Sequence, residues 1–532
     1  MLVPVGLAQP SEEGIPVTDP LVIAKCGSCH ARDEHGDMQR ISWERTTPEG
    51  WQEALKRMIV VNGVSLTPLE ARAMVKYLST DHGLAPEEAK PVMYDAERRI
   101  QRETNIPNER AEHACARCHT FARVLAWRRS SDDWKQLAQD HAARYKLPEN
   151  DEAIAFLAKA APLHTPEWQA WRARTHTPDL SGRWLVNASL PGHGKYYGEM
   201  QVHPTPEGEF TTSVRLTSVN DGARFIRTGR SVVYAGYAWR GRSKGPEIAP
   251  SSPDDLFSDA REVLWFAPDE STAEGRWFWG QYQEFGFDVK LRRASADPTL
   301  LLLDRSSLKT GSEANRVRLI GDRFPDDVTS SDLDFGSGIT VRRIVSNTPS
   351  EIVAEVDVAS DAALGKRDVS FRRSLLSRAL AIYDRVDYIK VAPDSAMAAF
   401  GDQAHARGYQ QFEAIGYQRG PDGKLHTADD VELGPMDPSD LAWSIEVFYA
   451  APGSSTDFVG KISALGFFTP ADKSPGANFD VWAVATAKNE MDKNGKPLVG
   501  KSYMVVTVPA YTLNGRRYVR DLDRWVDDGP AQ

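Results

Sequence analysis

The segment Cys26–His30 reads Cys-Gly-Ser-Cys-His, and the segment Cys115–His119 reads Cys-Ala-Arg-Cys-His. This pattern attaches haem covalently, because two thiols at this spacing form thioethers with the vinyl groups and the following imidazole binds the iron. The chain contains 4 cysteines, so the two motifs use all of them and leave no thiol for a disulfide or a nucleophile. The sequence therefore predicts two haems c. The predicted thioether residues are Cys26, Cys29, Cys115 and Cys118.

Two other kinds of site also use a Cys-x-x-Cys pair, namely zinc sites and thiol–disulfide sites. In both copies here, a histidine follows the second cysteine directly, which is typical of haem attachment. We therefore predict that His30 is the proximal ligand of the first iron and that His119 is the proximal ligand of the second.

An internal repeat indicates the sixth ligand of each iron. Trp51 precedes Met58 by seven residues, and Trp134 precedes His141 by the same interval. Seven residues make two helical turns, so each tryptophan shares a helix face with its candidate ligand. Each segment begins with a hydroxyl residue suited to cap a helix, Thr47 in the first and Ser131 in the second, and each is followed by a second helical segment. We predict Met58 for the first iron and His141 for the second. The two potentials should differ, because a thioether ligand raises the reduction potential relative to a second imidazole.

Other side chains stay open as alternative sixth ligands. Met38 and His35 are too close to His30 in the chain to reach the far side of the iron easily. A methionine on an amphipathic helix more often belongs to a hydrophobic core than to a metal site. The remaining alternatives are Met74, His82, Met93, His113 and His164.

Beyond Leu163 the helical pattern ends, and from Leu180 onward alternating segments separated by turns dominate. The predicted fold class is therefore multidomain: an α-helical dihaem cytochrome c domain, then an antiparallel β-barrel and two immunoglobulin-like β-sandwich domains. Four tryptophans in the barrel segment are predicted to belong to its core and strand pairs. They are Trp239, Trp265, Trp277 and Trp279.

The expected domain boundaries follow these changes in pattern. Residues 1–20 form an N-terminal extension or a leader remnant. The predicted domains are the dihaem domain at 21–165 with haem units at 21–90 and 108–165, the barrel at 178–303, and the two sandwiches at 304–393 and 394–532.

The overall charge excludes some partners. Lys and Arg number 64 against 74 Asp and Glu, which gives a net charge of −10 at pH 7 and favours neither nucleic acid nor an anionic membrane surface. No stretch approaches the roughly 18 apolar residues of a membrane span, so we expect a soluble protein.

The haem motifs also indicate a compartment. Covalent haem attachment of this type takes place outside the cytoplasm in bacteria, so we expect the protein to be periplasmic. The first ten residues resemble the tail of a signal peptide but lack its basic region, so they are interpreted as a leader remnant or a different start site.

The haem half of the chain carries a group of further motifs around the ligands. These are Arg40–Ser42, Arg45, Thr47–Trp51, Arg57–Met58, Tyr77–Leu78 and His82–Glu87. Together with the order of the predicted domains, they resemble the large dihaem α subunit of bacterial quinohemoprotein amine dehydrogenase.

That resemblance implies a periplasmic heterotrimer that oxidises primary amines to aldehyde and ammonia. The group that attacks the substrate would be a cysteine tryptophylquinone in a separate small subunit, beside a β-propeller subunit. This chain would take electrons from the quinone, pass them through its haems, and deliver them to a soluble cytochrome c or a blue copper protein. No catalytic residue is then expected in this chain, which agrees with its lack of a spare cysteine.

Two alternative functions stay open at this point. A dihaem cytochrome c peroxidase would need a haem with an open or releasable sixth position and an acid–base group above it. A redox-sensing or adhesion protein with a cytochrome domain would show no amine-dependent reduction with any partner.

Overall fold

The computed structural model of the protein describes residues 13–93, 116, 120–145, 151–174, 178–246, 259–279, 285–403, 405–449 and 455–509. Within these ranges, the α-helices all lie in the N-terminal third, and strands dominate the rest. None of the helices in the described ranges is both long and apolar enough to cross a membrane.

The N-terminal region is built from short helices that begin where the sequence supplies a start signal. Most of them carry proline in the first turn, where its fixed φ suits the helix and its missing N–H costs nothing. The helices are α1 (Pro20–Cys26), α2 (Pro48–Asn62), α3 (Pro68–Asp81), α4 (Pro86–Ala89), α5 (Phe121–Leu125), α6 (Ser131–Tyr145), α7 (Asp151–Ala160) and α8 (Pro166–Arg172).

Two short strands join the two halves of this region. β1 (Glu44–Thr46) pairs antiparallel with β2 (Trp127–Arg129), so that Arg45 lies opposite Arg128. β1 leads into α2 and β2 leads into α6, so each half contributes one strand and one long helix to the junction. The junction therefore relates the halves by an approximate twofold axis.

The caps of the two long helices are also equivalent. The Thr47 hydroxyl accepts a hydrogen bond from the Gly50 N–H at 3.3 Å, and the Ser130 hydroxyl accepts one from the Asp133 N–H at 3.1 Å. The sequence analysis placed the second cap at Ser131, one residue too late. Ser130 is the residue that matches Thr47, because it directly follows β2 as Thr47 follows β1.

A closed antiparallel barrel follows the helical region, as predicted. Strand β10 pairs with β3 as well as with β9, which closes the sheet and removes its edges. Its strands are β3 (Gly182–Leu190), β4 (Gly194–Pro204), β5 (Phe210–Ser218), β6 (Arg224–Tyr234), β7 (Ala238–Lys244), β8 (Ala260–Phe266), β9 (Thr272–Trp279) and β10 (Phe285–Arg293).

The barrel's tryptophans are buried, and they fall into two groups. Trp239, Trp277 and Trp279 pack with the aromatic side chains of the interior, and Trp277 is in ring contact with Phe287 at 6.3 Å. Trp265 points outward instead and donates its indole N–H to the Pro86 carbonyl at 2.9 Å. The prediction of a position in the barrel core therefore holds for Trp239, Trp277 and Trp279. Trp265 is buried between the barrel and the helices instead.

A third region stacks two four-stranded sheets around one hydrophobic core. One sheet has the order β11-β13-β16-β15 and the other β12-β18-β17-β14. The strands are β11 (Thr299–Leu303), β12 (Ser307–Lys309), β13 (Asn315–Asp322), β14 (Leu333–Asp334), β15 (Ile339–Thr348), β16 (Glu351–Val358), β17 (Gly365–Phe371) and β18 (Ser374–Tyr383).

The last region contains one four-stranded and two three-stranded sheets around a core of its own. The larger sheet has the order β20-β28-β27-β24. The strands are β19 (Tyr388–Ala392), β20 (Ser395–Ala399), β21 (Gln410–Gln411), β22 (Glu413–Gln418), β23 (Val431–Pro435), β24 (Leu441–Val447), β25 (Gly460–Ile462), β26 (Phe467–Pro470), β27 (Phe479–Met491) and β28 (Pro497–Thr507).

Two strands lie on the other side of an expected boundary. β11, placed by the sequence analysis at the end of the barrel, pairs with β13 of the third region. β19, placed before the last region, pairs with β22 inside it. All five residues of β11 are buried, so this strand has no alternation that could have assigned it to one sheet or the other.

The helical region rests on the outer face of the barrel. Arg240 on β7 forms an ion pair with Glu49 in the first turn of α2, with Nη2 to Oε2 at 3.0 Å. The Tyr237 hydroxyl donates to the Leu84 carbonyl at 2.9 Å. The first contact fixes the start of α2, the helix that carries Met58, against the barrel wall, and the second fixes the loop between α3 and α4.

Candidate haem sites

The first motif lies at the end of α1. The Asp19 side chain caps this helix by accepting from the Val22 N–H at 2.8 Å. After the helix ends at Cys26, the N–H groups of Cys29 and His30 both donate to the Cys26 carbonyl, at 3.1 and 2.9 Å. This tight turn holds both thiols and the imidazole together. Both thiols are free, with Cys26 half-buried and Cys29 exposed.

The imidazole of His30 is oriented for a metal. Its Nδ1 lies 2.8 Å from the carbonyl oxygen of Gln39. With the proton on Nδ1, this nitrogen donates to the carbonyl and Nε2 presents its lone pair, which is the usual second hydrogen bond of a ligating histidine. The donor set of free thiols and a fixed imidazole fits a covalently attached haem.

Burial, and then the neighbouring Cys29, raise the pKa of the Cys26 thiol to about 11. Across the residues that the structure describes, no group of three or more His, Cys, Asp or Glu is placed to hold a metal ion. The haem interpretation rests on the histidine that directly follows the second cysteine of each motif, which is typical of haem attachment.

The second motif lies outside the described residues. This applies to Cys115, Cys118 and His119, and also to the alternative ligand His113. These residues remain sequence predictions.

Met58 lies in the last turn of α2. Its side chain is half-buried, and the Asn62 amide lies 3.5 Å from its sulfur. The helix ends at Gly63, whose φ of 69° is left-handed and whose N–H donates to the Met58 carbonyl. A residue with a side chain would be strained at this position, so glycine ends the helix one turn after the candidate ligand.

His141 lies on α6, at the position equivalent to Met58 on α2. Its Nδ1 is 2.9 Å from the Leu137 carbonyl, one turn earlier on the helix. The tautomer that donates this hydrogen bond carries its metal-binding lone pair on Nε2. The side chain of His141 is half-buried.

The two tryptophans of the predicted repeat have the same role. Trp51 donates its indole N–H to the His82 carbonyl at 2.9 Å, just after the end of α3. Trp134 donates its indole N–H to the Ala161 carbonyl at 3.0 Å, just after the end of α7. Each tryptophan thus ties the helix of a candidate ligand to the end of the following helix. The repeat of helix pairs predicted from the sequence is confirmed.

The alternative ligands have other environments. Met38 and Met74 are fully buried in the hydrophobic core. His35 is exposed, and His164 is half-buried with Nε2 at 2.6 Å from the Glu13 carbonyl. Met93 packs partly buried against the core.

His82 is the exception among these alternatives. It is fully buried, and neither ring nitrogen has a hydrogen-bond partner in the described part of the chain. Its ring contacts those of Trp51 and Tyr77, with centroids 6.2 and 6.1 Å apart. Burial, with Arg172 and Arg45 nearby, lowers the pKa of His82 to about 3, so the imidazole is neutral.

A buried charge cluster connects the two halves, and the sequence analysis missed it. Arg129 on β2 forms ion pairs with Glu44 on β1 and with Asp133 in the first turn of α6. All three side chains are buried. Arg129 therefore joins β2 and α6 of the second half to β1 of the first half.

Arg45 forms a second buried contact at the same junction. Its guanidinium binds both carboxylate oxygens of Glu88, at 2.7 and 2.9 Å, and Arg128 adds an ion pair to Glu88 at 3.4 Å. The remaining donors of Arg45 reach the carbonyls of Leu163 and Gly83, at 2.6 and 3.0 Å. Arg45 is among the residues that carry the family resemblance, but no local pattern in the sequence indicates its buried partners.

Solved structures similar to the chain share only parts of its fold. A redesigned beta barrel has 13% identity and a TM-score of 0.18, over 22% of this chain and 92% of its own. Human Protocadherin-24 EC1-2 has 15% identity and a TM-score of 0.16, over 40% of this chain and 99% of its own. A SusE-like surface located polysaccharide binding protein from Bacteroides thetaiotaomicron has 10% identity and a TM-score of 0.13, over 63% of this chain and 69% of its own. Similarities this low carry no information about function. No curated protein matches the chain.

Family models give a specific result. Residues 17–155 match "Quinohemoprotein amine dehydrogenase A, alpha subunit, haem binding". Three further models of the same subunit follow in order: alpha subunit domain II matches residues 177–294, domain III residues 297–384, and domain IV residues 389–515. Since all four models describe one subunit and together span most of the sequence, this chain belongs to the quinohemoprotein amine dehydrogenase alpha-subunit family, and is a haem subunit of an amine dehydrogenase complex.

Proposed function

We propose that this chain is the dihaem electron-transfer subunit of a periplasmic amine dehydrogenase. The observation that carries the proposal is the first motif, where two free thiols and an imidazole fixed by the Gln39 carbonyl occur in a chain of this family. When bound, each haem supplies an iron that changes oxidation state by one electron.

The chain's own residues have distinct roles in this proposal. At the first haem, Cys26 and Cys29 attach the porphyrin, His30 binds the iron, and Met58 is the sixth ligand. Support for Met58 comes from its place on α2, whose Trp51 is tied to the end of α3. The thioether would give this haem the higher potential of the two.

At the second haem, Cys115 and Cys118 attach the porphyrin, His119 binds the iron, and His141 is the sixth ligand. The support is that His141 occupies on α6 the place of Met58 on α2, and that its Nδ1 is engaged by the Leu137 carbonyl. Together these residues define a helical dihaem cytochrome c domain, and we propose immunoglobulin-like folds for the two sandwich regions that follow the barrel.

We place the chemistry on the amine in another subunit. A cysteine tryptophylquinone needs a cysteine to crosslink to tryptophan, and the haem motifs use all 4 cysteines of this chain. The quinone would therefore lie in a small partner subunit, beside a β-propeller subunit, in a heterotrimer. This chain would accept electrons from the quinone and deliver them to a soluble cytochrome c or a blue copper protein.

The test is a visible absorption spectrum of the complex purified from its host, recorded before and after a simple primary amine is added without oxygen. We expect the amine to reduce the c-type α band of the haems. If dithionite reduces two low-spin haems but the amine does not, the electron donor is something else and the proposal is wrong. Turnover of amine by this chain alone would equally contradict the assignment of substrate chemistry to a partner.

A further inference from the structure

The interior of the barrel contains a belt of polar side chains halfway between its aromatic layers. Along each strand, alternate residues face inward, and the paired registers of β5 to β9 bring these positions side by side. All members of the belt are at least nine-tenths buried. They are Thr212, Arg227, Ser231, Ser243, Glu262 and Trp277.

Part of the belt is paired directly. One carboxylate oxygen of Glu262, Oε2, accepts from the Trp239 indole N–H at 3.0 Å. Arg227 donates from Nε to the Ser243 hydroxyl at 3.2 Å and from Nη2 to the Ser243 carbonyl at 2.7 Å. Burial raises the pKa of Glu262, and the Ser243 hydroxyl, Trp239 and Arg227 each oppose that rise.

Four polar atoms of the same belt are left without a hydrogen-bond partner among the described residues. They are Thr212 Oγ1, Ser231 Oγ, Glu262 Oε1 and Trp277 Nε1. Buried polar groups in proteins are nearly always satisfied by protein atoms or by ordered water, because an unmade hydrogen bond in the interior is costly. Four such atoms in one belt indicate that bound molecules satisfy them.

Two glycines leave space that polar side chains of the belt occupy. Gly241 lies between Ser231 and Glu262 in the strand registers, and a Cβ added there would lie 2.4 Å from Ser231 Oγ and 2.9 Å from Glu262 Oε2. Gly229 lies between Thr212 and Ser243 in the same way, and a Cβ there would lie 2.7 Å from Thr212 Oγ1. The polar side chains therefore fold over the two glycines, where any other residue would separate them.

The chemistry of the unpaired atoms selects the partner. Trp277 Nε1 only donates, Glu262 Oε1 accepts, and the two hydroxyls can do either. Trp277 and Glu262 are direct neighbours across the β8–β9 pair. Water combines donor and acceptor groups in one small molecule and needs two to four polar partners in a buried site. A second cation is disfavoured, because Arg227 already supplies positive charge beside Glu262.

We propose that the barrel interior binds ordered water molecules that bridge Trp277 Nε1 to Glu262 Oε1 and satisfy the hydroxyls of Ser231 and Thr212. The bound water is a structural ligand of the barrel. It supports β7, whose neighbouring outward residue Arg240 holds the start of α2 through Glu49.

The first test compares buried hydroxyls in the full chain carrying its haems. Ser231→Ala and Thr212→Val each remove a hydroxyl that has no partner among the described residues, and Ser243→Ala is the matched control, because its hydroxyl accepts from Arg227. If water satisfies the first two hydroxyls, all three variants should lower the thermal midpoint, by about 3 °C each. If the interior is dry, removing an unsatisfied hydroxyl relieves a cost, so an unchanged or raised midpoint in Ser231→Ala and Thr212→Val would overturn the proposal.

A crystal structure of the unmodified complex provides a second readout that does not depend on variants folding. We expect water density within hydrogen-bond distance of Trp277 Nε1 and Glu262 Oε1. An interior without ordered water at these atoms would also overturn the proposal. Neither measurement depends on electron transfer, so either result leaves the proposed function to its own test.

Discussion

The Nδ1 atom of His30 lies 2.8 Å from the carbonyl oxygen of Gln39. This contact connects the haem-attachment turn to the loop before β1, and it orients Nε2 toward the side on which a metal would bind. A backbone carbonyl cannot be removed by a side-chain substitution, so the clearest tests concern the opposite side of the iron.

Met58→Leu should change the spectrum of one haem and lower its reduction potential, because the substitution removes the thioether that we propose as sixth ligand. Met38→Leu is the matched control, since Met38 is buried in the hydrophobic core and a change of similar volume there is tolerated. Redox titration followed by visible absorption measures the haem spectra and the reduction potentials of both variants. Unchanged haem spectra in Met58→Leu would rule out this ligand.

His141→Ala should perturb the other haem and leave the Met58-dependent signal in place. The control is His164→Ala, because His164 is half-buried like His141 but its Nε2 lies 2.6 Å from the Glu13 carbonyl. Electron paramagnetic resonance of the oxidised protein separates the two haems. The assignment fails if His141→Ala retains both low-spin signals of the parent protein.

Arg129→Met should destabilise the protein strongly, because it leaves Glu44 and Asp133 buried without their common partner. Removing one member of a buried ion pair costs about 3–5 kcal/mol. Lys135→Met is the matched control, because its pair with Asp132 is exposed and worth about 0–1 kcal/mol. Denaturant unfolding compares the two, and similar midpoints would contradict the structural role of the buried cluster.

Stability should fall in mild acid because of His82. Burial lowers the pKa of His82 from 6.5 to about 3, so the unfolded chain takes up a proton at a pH where the folded protein does not. The contribution of the neutral His82 side chain to the free energy of unfolding is complete above pH 6.5 and is lost progressively as the pH falls toward 3. His82→Phe should flatten the dependence of the unfolding free energy on pH between 6.5 and 4. An unchanged slope would show that this imidazole is protonated in the folded state.

Glu413 should have the opposite effect at higher pH. Burial raises the pKa of Glu413 from 4.5 to about 7, while one of its oxygens, Oε1, accepts from the Gly192 N–H of the β3–β4 turn at 3.3 Å. The folded protein keeps a proton that the unfolded chain has lost, so this group reduces stability as the pH rises from 4.5 to 7. Glu413→Gln should therefore be more stable than the parent at pH 8 and gain little at pH 5. If Glu413→Gln raised the free energy of unfolding equally at pH 5 and pH 8, the charge of Glu413 would not be the cause of the difference in stability.

Much of this architecture could be predicted from local sequence patterns. The first motif predicted a haem-binding region, the alternation of strands indicated the barrel, and the position of Trp51 relative to Met58 predicted the helix pairs. Each of these features depends on residues that are close together in the sequence, so a local pattern is enough to predict it.

Other features depend on contacts between distant segments. The ion pairs of Arg129 exist because β1 and β2 meet, and each strand has three residues, too few for an alternating pattern. The assignment of β11 failed for a related reason, since a run of buried leucines does not indicate which sheet will pair with it. The sequence indicated His82 only as one alternative ligand among several, because the burial of a single polar side chain without a partner among the described residues follows from packing.

The β1–β2 pair also has a consequence for how the protein is made. A two-stranded ladder this short is marginal by itself, so its stability must come from the helices on both sides. The two halves of the helical region therefore form one cooperative unit, in which neither half supplies its own partner strand. We therefore expect that a truncated chain with one attachment motif would not mature as a smaller cytochrome, and that the two haems we propose must be delivered to the same polypeptide.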